Sequence, residues 1–220
     1  MQDVQSREDG RGIAIQRVGV KDVRLPFLIK KQAGGYQQVL ATITFTASLP
    51  MEFKGTHMSR FLEILLPWRE KPLAEEEMDA MLTEALDRLH AEAAEVRLAF
   101  TYFLEKRAPV SGRTSLLGVD ASFTGRKRRG MPMEFELGLS MPFTSLCPCS
   151  KEISSYGAHN QRSRARVRLR FHAGVPCIYI EDLAKLLEQQ GSAPIYPLLK
   201  RADEKYVTEE AYEHPKFVED

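Results

Sequence analysis

Cys147 and His159 stand twelve residues apart in one polar stretch, SLCPCSKEISSYGAHNQRS, from Ser145 to Ser163. A cysteine thiolate binds soft or borderline metals, and neutral imidazole suits zinc and iron alike. A loop of this span can bring both side chains onto one ion. A closed structural site would want four protein ligands, usually from paired C-x-x-C steps. Here there is Cys147-Pro148-Cys149 and no second pair. The spacing therefore leaves two readings side by side: an open, catalytic metal site, and a cysteine nucleophile activated by a histidine. Cys149 has no assigned chemistry beyond shaping the loop or tuning Cys147.

Other residues carry weaker signals. PLLKRADEKYVTEE, residues 197–210, mixes an apolar entry with dense charge. Glu204 could serve there as a hard oxygen ligand and Lys200, Arg201 or Lys205 as phosphate contacts; the plainer reading is a solvated loop before a helix. GTHMSRF opens a helix whose backbone N–H groups could hold an anion, with His57, Ser59 or Arg60 assisting. Capping and packing explain that segment equally well. RSRARVRLRF aligns Arg162, Arg164, Arg166, Arg168 and Arg170 on one face. Their first expected role is pairing with Glu134 and Glu136 or with another subunit, and one or two could reach an anionic ligand. The KRRG run at 127–130 reads as a solvated turn, and His90, His172 and His214 read as surface residues. Cys177, inside VPCIYI, reads as a small buried hydrophobe.

The elements that must position these groups follow from periodicity. Gln38 to Leu49 alternates, with Val39, Ala41, Ile43, Phe45 and Ala47 on one face, as a half-buried strand does. Val20 to Lys30 is a weaker strand that could pair with it. Thr56 is expected to cap a helix carrying Phe61, Leu62, Leu65 and Leu66, ended by Pro67. Leu73 to Ala94 is a second expected helix, with Glu75, Glu76 and Glu77 suiting its N-terminal dipole and Met78, Leu82, Ala85 and Leu89 as its apolar stripe. Val96–Leu104 and Leu117–Phe123 read as strands. The second half begins again with alternation over Met133–Leu139 and Arg162–Phe171. Helices follow at Ile180–Gln190 and from Val207. The order of elements suggests a repeat whose second copy lacks its last two strands.

Composition sets the outer limits. A chain of 220 residues with 43% hydrophobic residues and a net charge of +1 is an ordinary globular composition. It can bury a core without disulfides, and three cysteines argue against a disulfide framework. There is no chain-wide basic excess and no nucleic-acid motif. No apolar run reaches membrane-span length, and the polar start MQDVQSREDGRG has no signal core. The expectation is a cytoplasmic protein with no membrane or nucleic-acid partner.

SLCPCSKEISSYGAHNQRS, FKGTHMSRFLEIL and YPLLKRADEKYVTEEAYEHPKFVED, in this order, closely resemble the type IB GTP cyclohydrolase I family. The resemblance runs from DVQSREDGR to the last residue. It implies the tunnelling fold, an α+β architecture of two tandem ββααββ units with antiparallel sheets and helices on one face, assembling into barrels. On that frame residues 1–17 form a flexible arm, 18–126 the first unit and 131–220 the second. The family continues past the counterpart of Asp220 with a histidine-containing segment, so the resemblance leads us to expect a longer chain whose last strands complete the second unit. The implied reaction converts GTP and water to 7,8-dihydroneopterin triphosphate and formate, the entry to tetrahydrofolate and, in bacteria, to queuosine-type bases. It is implied to run in a homotetramer with active sites at subunit interfaces.

Residue by residue, the resemblance implies Cys147, His159 and Glu204 as ligands of a divalent metal, manganese, iron or zinc. It implies Glu219 as the anchor of the guanine ring. Lys200, Arg201 and Lys205, with His57 and Arg60, are the cations and donors available to the rest of the nucleotide. Two rival readings accompany it. One is a nitrile reductase of queuosine synthesis, in which Cys147 forms a covalent thioimide and NADPH is the reductant. The other is a metal- or pterin-binding module without catalysis.

Overall fold

The computed structural model describes residues 13–53, 55–155, 159–172 and 174–216. Glu219 lies outside them. The strands are β1 (Ile15–Lys30), β2 (Tyr36–Leu49), β3 (Pro72–Leu73), β4 (Ala93–Arg107), β5 (Thr114–Arg128), β6 (Glu134–Leu146) and β7 (Asn160–Phe171). The helices are α1 (Met58–Trp68), α2 (Glu75–Arg88), α3 (Pro148–Ile153), α4 (Ile180–Gln189) and α5 (Arg201–Glu213). The strands form one seven-stranded sheet in the order β3-β1-β2-β4-β5-β6-β7. β1, β2 and β4 pair antiparallel, while the two-residue β3 runs parallel to β1.

This order corrects the expected tunnelling fold. The α+β class stands, but two tandem ββααββ units do not. β5 and β6 are neighbours, so both halves of the chain contribute to one mixed sheet. β3 interrupts the pair of helices in the first half, and the second half supplies β6 and β7 with α3 between them, then α4 and α5. Periodicity reports the order of elements along the chain. It carries no information on which strands pair, and a repeat in order alone does not fix the pairing.

The chain divides into two compact units. The first comprises 1–101, 122–138 and 168–177. Val39, Ala41, Ile43, Phe45, Ala47 and Leu49 of β2 are all buried, the alternation a half-covered strand requires. Phe61 of α1 meets Phe45 edge-on at 5.1 Å. The N-cap of α1 is His57 rather than Thr56, and the helix contains Pro67 instead of ending at it. α2 approaches β5 so closely that a Cβ on Gly125 would lie 2.8 Å from the Met78 sulfur. Phe100, Phe123, Phe135 and Phe171 form a ladder across β4, β5, β6 and β7, with successive centroids 5.4, 5.3 and 6.2 Å apart. Each such pair contributes about 0.5–1.5 kcal/mol beyond its buried area. β1 begins earlier than its alternation suggests because bulges near Val18 and Val23 shift its register, with Asp22 at a φ of 58°.

The second unit comprises 102–121, 139–167 and 178–220. Its cluster is Leu146, Ala193 and Ala211, flanked by Val207 and Tyr212. Leu146 ends β6, immediately before Cys147. The buried Ser192 accepts the Leu146 N–H at 3.1 Å and donates its own N–H to the Thr144 carbonyl at 2.9 Å. A strand end, a loop and the apolar face of α5 are thus fastened together beside the cysteine.

Candidate functional site

Cys147 is the N-cap of α3, with φ −72° and ψ 115°, and Pro148 takes the first helical position. Proline suits that place because its missing N–H is not needed there. What reads in sequence as a loop is therefore a one-and-a-half-turn helix whose entry presents the thiol. The Cys147 N–H donates to the His159 carbonyl at 3.3 Å, so the ends of the intervening segment are closed against one another. The His159 N–H donates to the Ser150 hydroxyl at 3.4 Å, and that hydroxyl lies within reach of both the Cys147 carbonyl, at 3.2 Å, and the Cys147 sulfur.

These contacts change the thiol. Its pKa is lowered to about 7 by the Ser150 N–H, then by the Ser150 hydroxyl and the His159 imidazole, with a smaller contribution from the Cys149 N–H and partial burial opposing. Donors aimed at sulfur favour the thiolate. The result is a partly exposed thiol, substantially ionised at neutral pH, with an imidazole in contact. That donor pair fits a borderline divalent metal. It is also the arrangement of an activated nucleophile.

Glu204 lies on α5, on the helical face shared with Val207 and Ala211. Its carboxylate accepts from Arg201 at 2.8 Å. The structure thus brings Cys147 and His159 together and shows Glu204 paired with Arg201. Lys205 faces Glu209 at 3.7 Å, and Lys200 is the N-cap of α5. Lys151 of α3 donates to the Tyr212 carbonyl, tying the cysteine helix to the far end of α5. In the first unit, His57 is the N-cap of α1 and its carbonyl accepts the Arg60 N–H at 3.1 Å.

Among the described residues, Glu210, Glu213 and His214 are the group whose potential ligand atoms all lie within 4.8 Å of one another. They occupy one exposed helix end at the i, i+3, i+4 spacing that makes side chains neighbours on any helix. The arginine face of β7 is exposed; Arg170 pairs with Glu136 at 3.0 Å, one of the two partners expected, whereas Arg164 pairs with Asp120 of β5 at 3.1 Å, which was not among them.

Sequence reasoning missed three residues here. Ser150, which tunes the thiol, was hidden because α3 was not foreseen; Pro148 directly after a polar residue was the available signal. For Asp203 the available signal is only an acidic residue in the first turn of a helix. Ser111, its partner, carries no signal in the sequence at all.

The whole chain, residues 1–220, matches the family described as type I GTP cyclohydrolase folE2. It is 50% identical over 220 residues to the GTP cyclohydrolase FolE2 of Geobacter sulfurreducens, covering all of this chain and 83% of that one. Identity to the FolE2 of Geobacter metallireducens is 50%, covering all of this chain and 82% of the relative. For that of Azoarcus sp. strain BH72 it is 49% over 218 residues, covering 99% of this chain and 80% of the relative. No helix among the described residues is long and apolar enough to cross a membrane. The resemblance to GTP cyclohydrolases noted in the sequence is thereby sharpened to one branch, and the chain belongs to the type I GTP cyclohydrolase FolE2 family.

Proposed function

We propose that this chain acts as that family's name implies, opening the guanine imidazole ring of GTP by hydrolysis to give 7,8-dihydroneopterin triphosphate and formate, the first step toward tetrahydrofolate. The observation that carries the reading is the Cys147–His159 pair, with its thiol lowered to about 7 and its imidazole in contact. Cys147 and His159 would hold a divalent metal with Glu204 as the oxygen ligand. Such an ion supplies Lewis acidity toward water and the ring. Manganese, iron and zinc all accept this donor set.

The chain's own residues do the rest. Ser150 keeps Cys147 in the thiolate form that a ligand needs. His159 supplies the imidazole beside the thiol, and a histidine moves protons as the ring opens. Lys200, Arg201 and Lys205 supply positive charge for the triphosphate, and His57 and Arg60 are further substrate contacts. Glu219 accepts hydrogen bonds from the ring N–H and amino group, which selects guanine and holds C8 at the reacting position. The active form is a homotetramer in the cytoplasm with sites completed at subunit interfaces. The position of β7 at the end of the sheet, with an exposed face, supports such an assembly.

The test is direct. Purified protein incubated with GTP and Mn²⁺ releases formate and yields a product that fluoresces after oxidation; chelation stops it and added metal restores it. Turnover of a nitrile with NADPH, and none of GTP, would overturn the reading in favour of Cys147 as a nucleophile. Light scattering of the purified protein checks the tetramer.

A further inference from the structure

Asp203 is fully buried, yet it sits one residue before the exposed Glu204. Its carboxylate accepts four hydrogen bonds. The N–H groups of Val110 and Ser111 reach Oδ1 at 2.9 and 2.7 Å, and the Ser111 hydroxyl and the Lys200 N–H reach Oδ2 at 2.6 and 2.8 Å. Burial alone would raise its pKa. The Ser111 hydroxyl and the N–H groups of Ser111, Lys200 and Val110 outweigh that and hold the carboxyl below the usual carboxylate range.

The carboxylate does two jobs at once. Toward Lys200 it accepts the N-cap N–H and so closes the first turn of α5 from the third helical position. Toward Val110 and Ser111 it staples that turn to the tip of the β4–β5 hairpin. The tip is itself preformed: the Ala108 N–H donates to Arg113 and the Gly112 N–H to Ala108, with Gly112 at a φ of 66° that favours glycine. A second tie lies nearby. Lys106, at the end of β4, donates to both oxygens of Glu188 at 2.6 and 2.7 Å and lies over the Tyr196 ring at 5.0 Å. The segment from α4 to α5 is therefore anchored at both ends to one hairpin. The anchored piece carries Lys200, Arg201, Glu204 and Lys205. Capping a helix requires none of the contacts to Val110 and Ser111, so the staple fixes where the turn sits as well as whether it forms.

We propose that Asp203, with Ser111, is a positioning residue that sets where the first turn of α5 presents Lys200, Arg201 and Glu204 to the triphosphate and the metal. This rests on the roles proposed above for those three residues. Supporting groups of this kind typically change metal affinity or activity by 10- to 100-fold when removed.

The experiment compares the full-length wild type with Ser111→Ala, Ser111→Thr and Asp203→Asn. It measures kcat and KM for GTP, Mn²⁺ affinity by electron paramagnetic resonance titration, and melting temperature. Asp203→Asn is expected to raise KM and weaken Mn²⁺ binding by about tenfold. Ser111→Ala should shift both in the same direction by less, and Ser111→Thr, which keeps the hydroxyl, should return them to wild-type values. Lower melting temperatures with KM and Mn²⁺ affinity unchanged would overturn the proposal and leave a purely structural clamp. If Asp203→Asn does not fold, the Ser111 pair decides, since that side chain is exposed and the substitutions are small. Wild type that releases no formate overturns the activity reading, and the proposal with it. Active wild type whose KM and metal affinity Ser111→Ala shares overturns the proposal alone.

Discussion

Cys147 and Cys177 carry the same side chain in two regions that treat it oppositely. At the entry to α3, the Ser150 N–H, the Ser150 hydroxyl and the His159 imidazole all face the sulfur, and its pKa falls to about 7. In the segment before α4, burial comes first and the Glu75 carboxylate second, and the thiol is pushed up to about 12. Donors stabilise the thiolate; a low-dielectric site and a neighbouring anion oppose it. How readily each thiol ionises therefore follows what surrounds the sulfur, and the scarcity of cysteines makes the contrast measurable.

The largest expected effect separates the two by function. Cys147→Ala should lower formate release by more than about a hundredfold, since losing the proposed ligand costs more than losing a supporting group. Cys177→Ala should stay close to wild type. Equal losses in the two variants would remove the distinction.

Iodoacetamide labelling of metal-free protein, followed by peptide mass spectrometry, tests the pKa contrast itself. At pH 8 the thiolate fractions differ by roughly four orders of magnitude, and the higher intrinsic nucleophilicity of the more basic thiolate offsets about half of that. Cys147 should therefore label roughly a hundred times faster, with a rate that climbs through pH 7 and then levels. Labelling of Cys177 should still be climbing at pH 10.

Two smaller effects sharpen the causes. Ser150→Ala removes the hydroxyl but keeps the N–H, so the Cys147 profile should move to higher pH and its rate at pH 7 fall by about two- to fivefold. Glu75→Gln removes the negative charge beside Cys177, so its labelling at pH 9 should rise, and by less than the Cys147 contrast because burial, the larger cause, remains. An unmoved Cys177 profile in Glu75→Gln would show that burial alone sets it.

Much of the local structure was legible in the residues. The strict alternation of Val39 to Ala47 marked β2 and its buried face, and the five-arginine alternation marked β7 as a strand with one solvated face. The acidic first turn of α2 and its apolar stripe marked that helix. β6 was only half legible. Alternation puts Glu136 on a polar face, yet Phe135 to Leu139 are buried on both faces and Glu136 is 7% exposed, compensated by Arg170 and Arg126. Alternation can assign two faces to a strand but cannot say that both are covered.

The site divided in the same way. Cys147, His159 and the charged turn from Lys200 to Lys205 were singled out by residue type and spacing. Ser150 and the Asp203–Ser111 clamp were not, because a hydroxyl or carboxylate gains its meaning from the donors that face it. For Asp203 two of those donors lie more than ninety residues away in the sequence.

By itself, the sequence determined which segments alternate, where the thiol and imidazole fall, and which family the chain resembles, because each of these is written in residue types and short spacings. The tertiary structure decided that the strands join into one sheet, that a short helix presents Cys147, and that a buried carboxylate fixes the turn before Glu204. Those outcomes depend on which distant groups meet, and backbone pairing and hydrogen-bond satisfaction select among partners that no local pattern distinguishes.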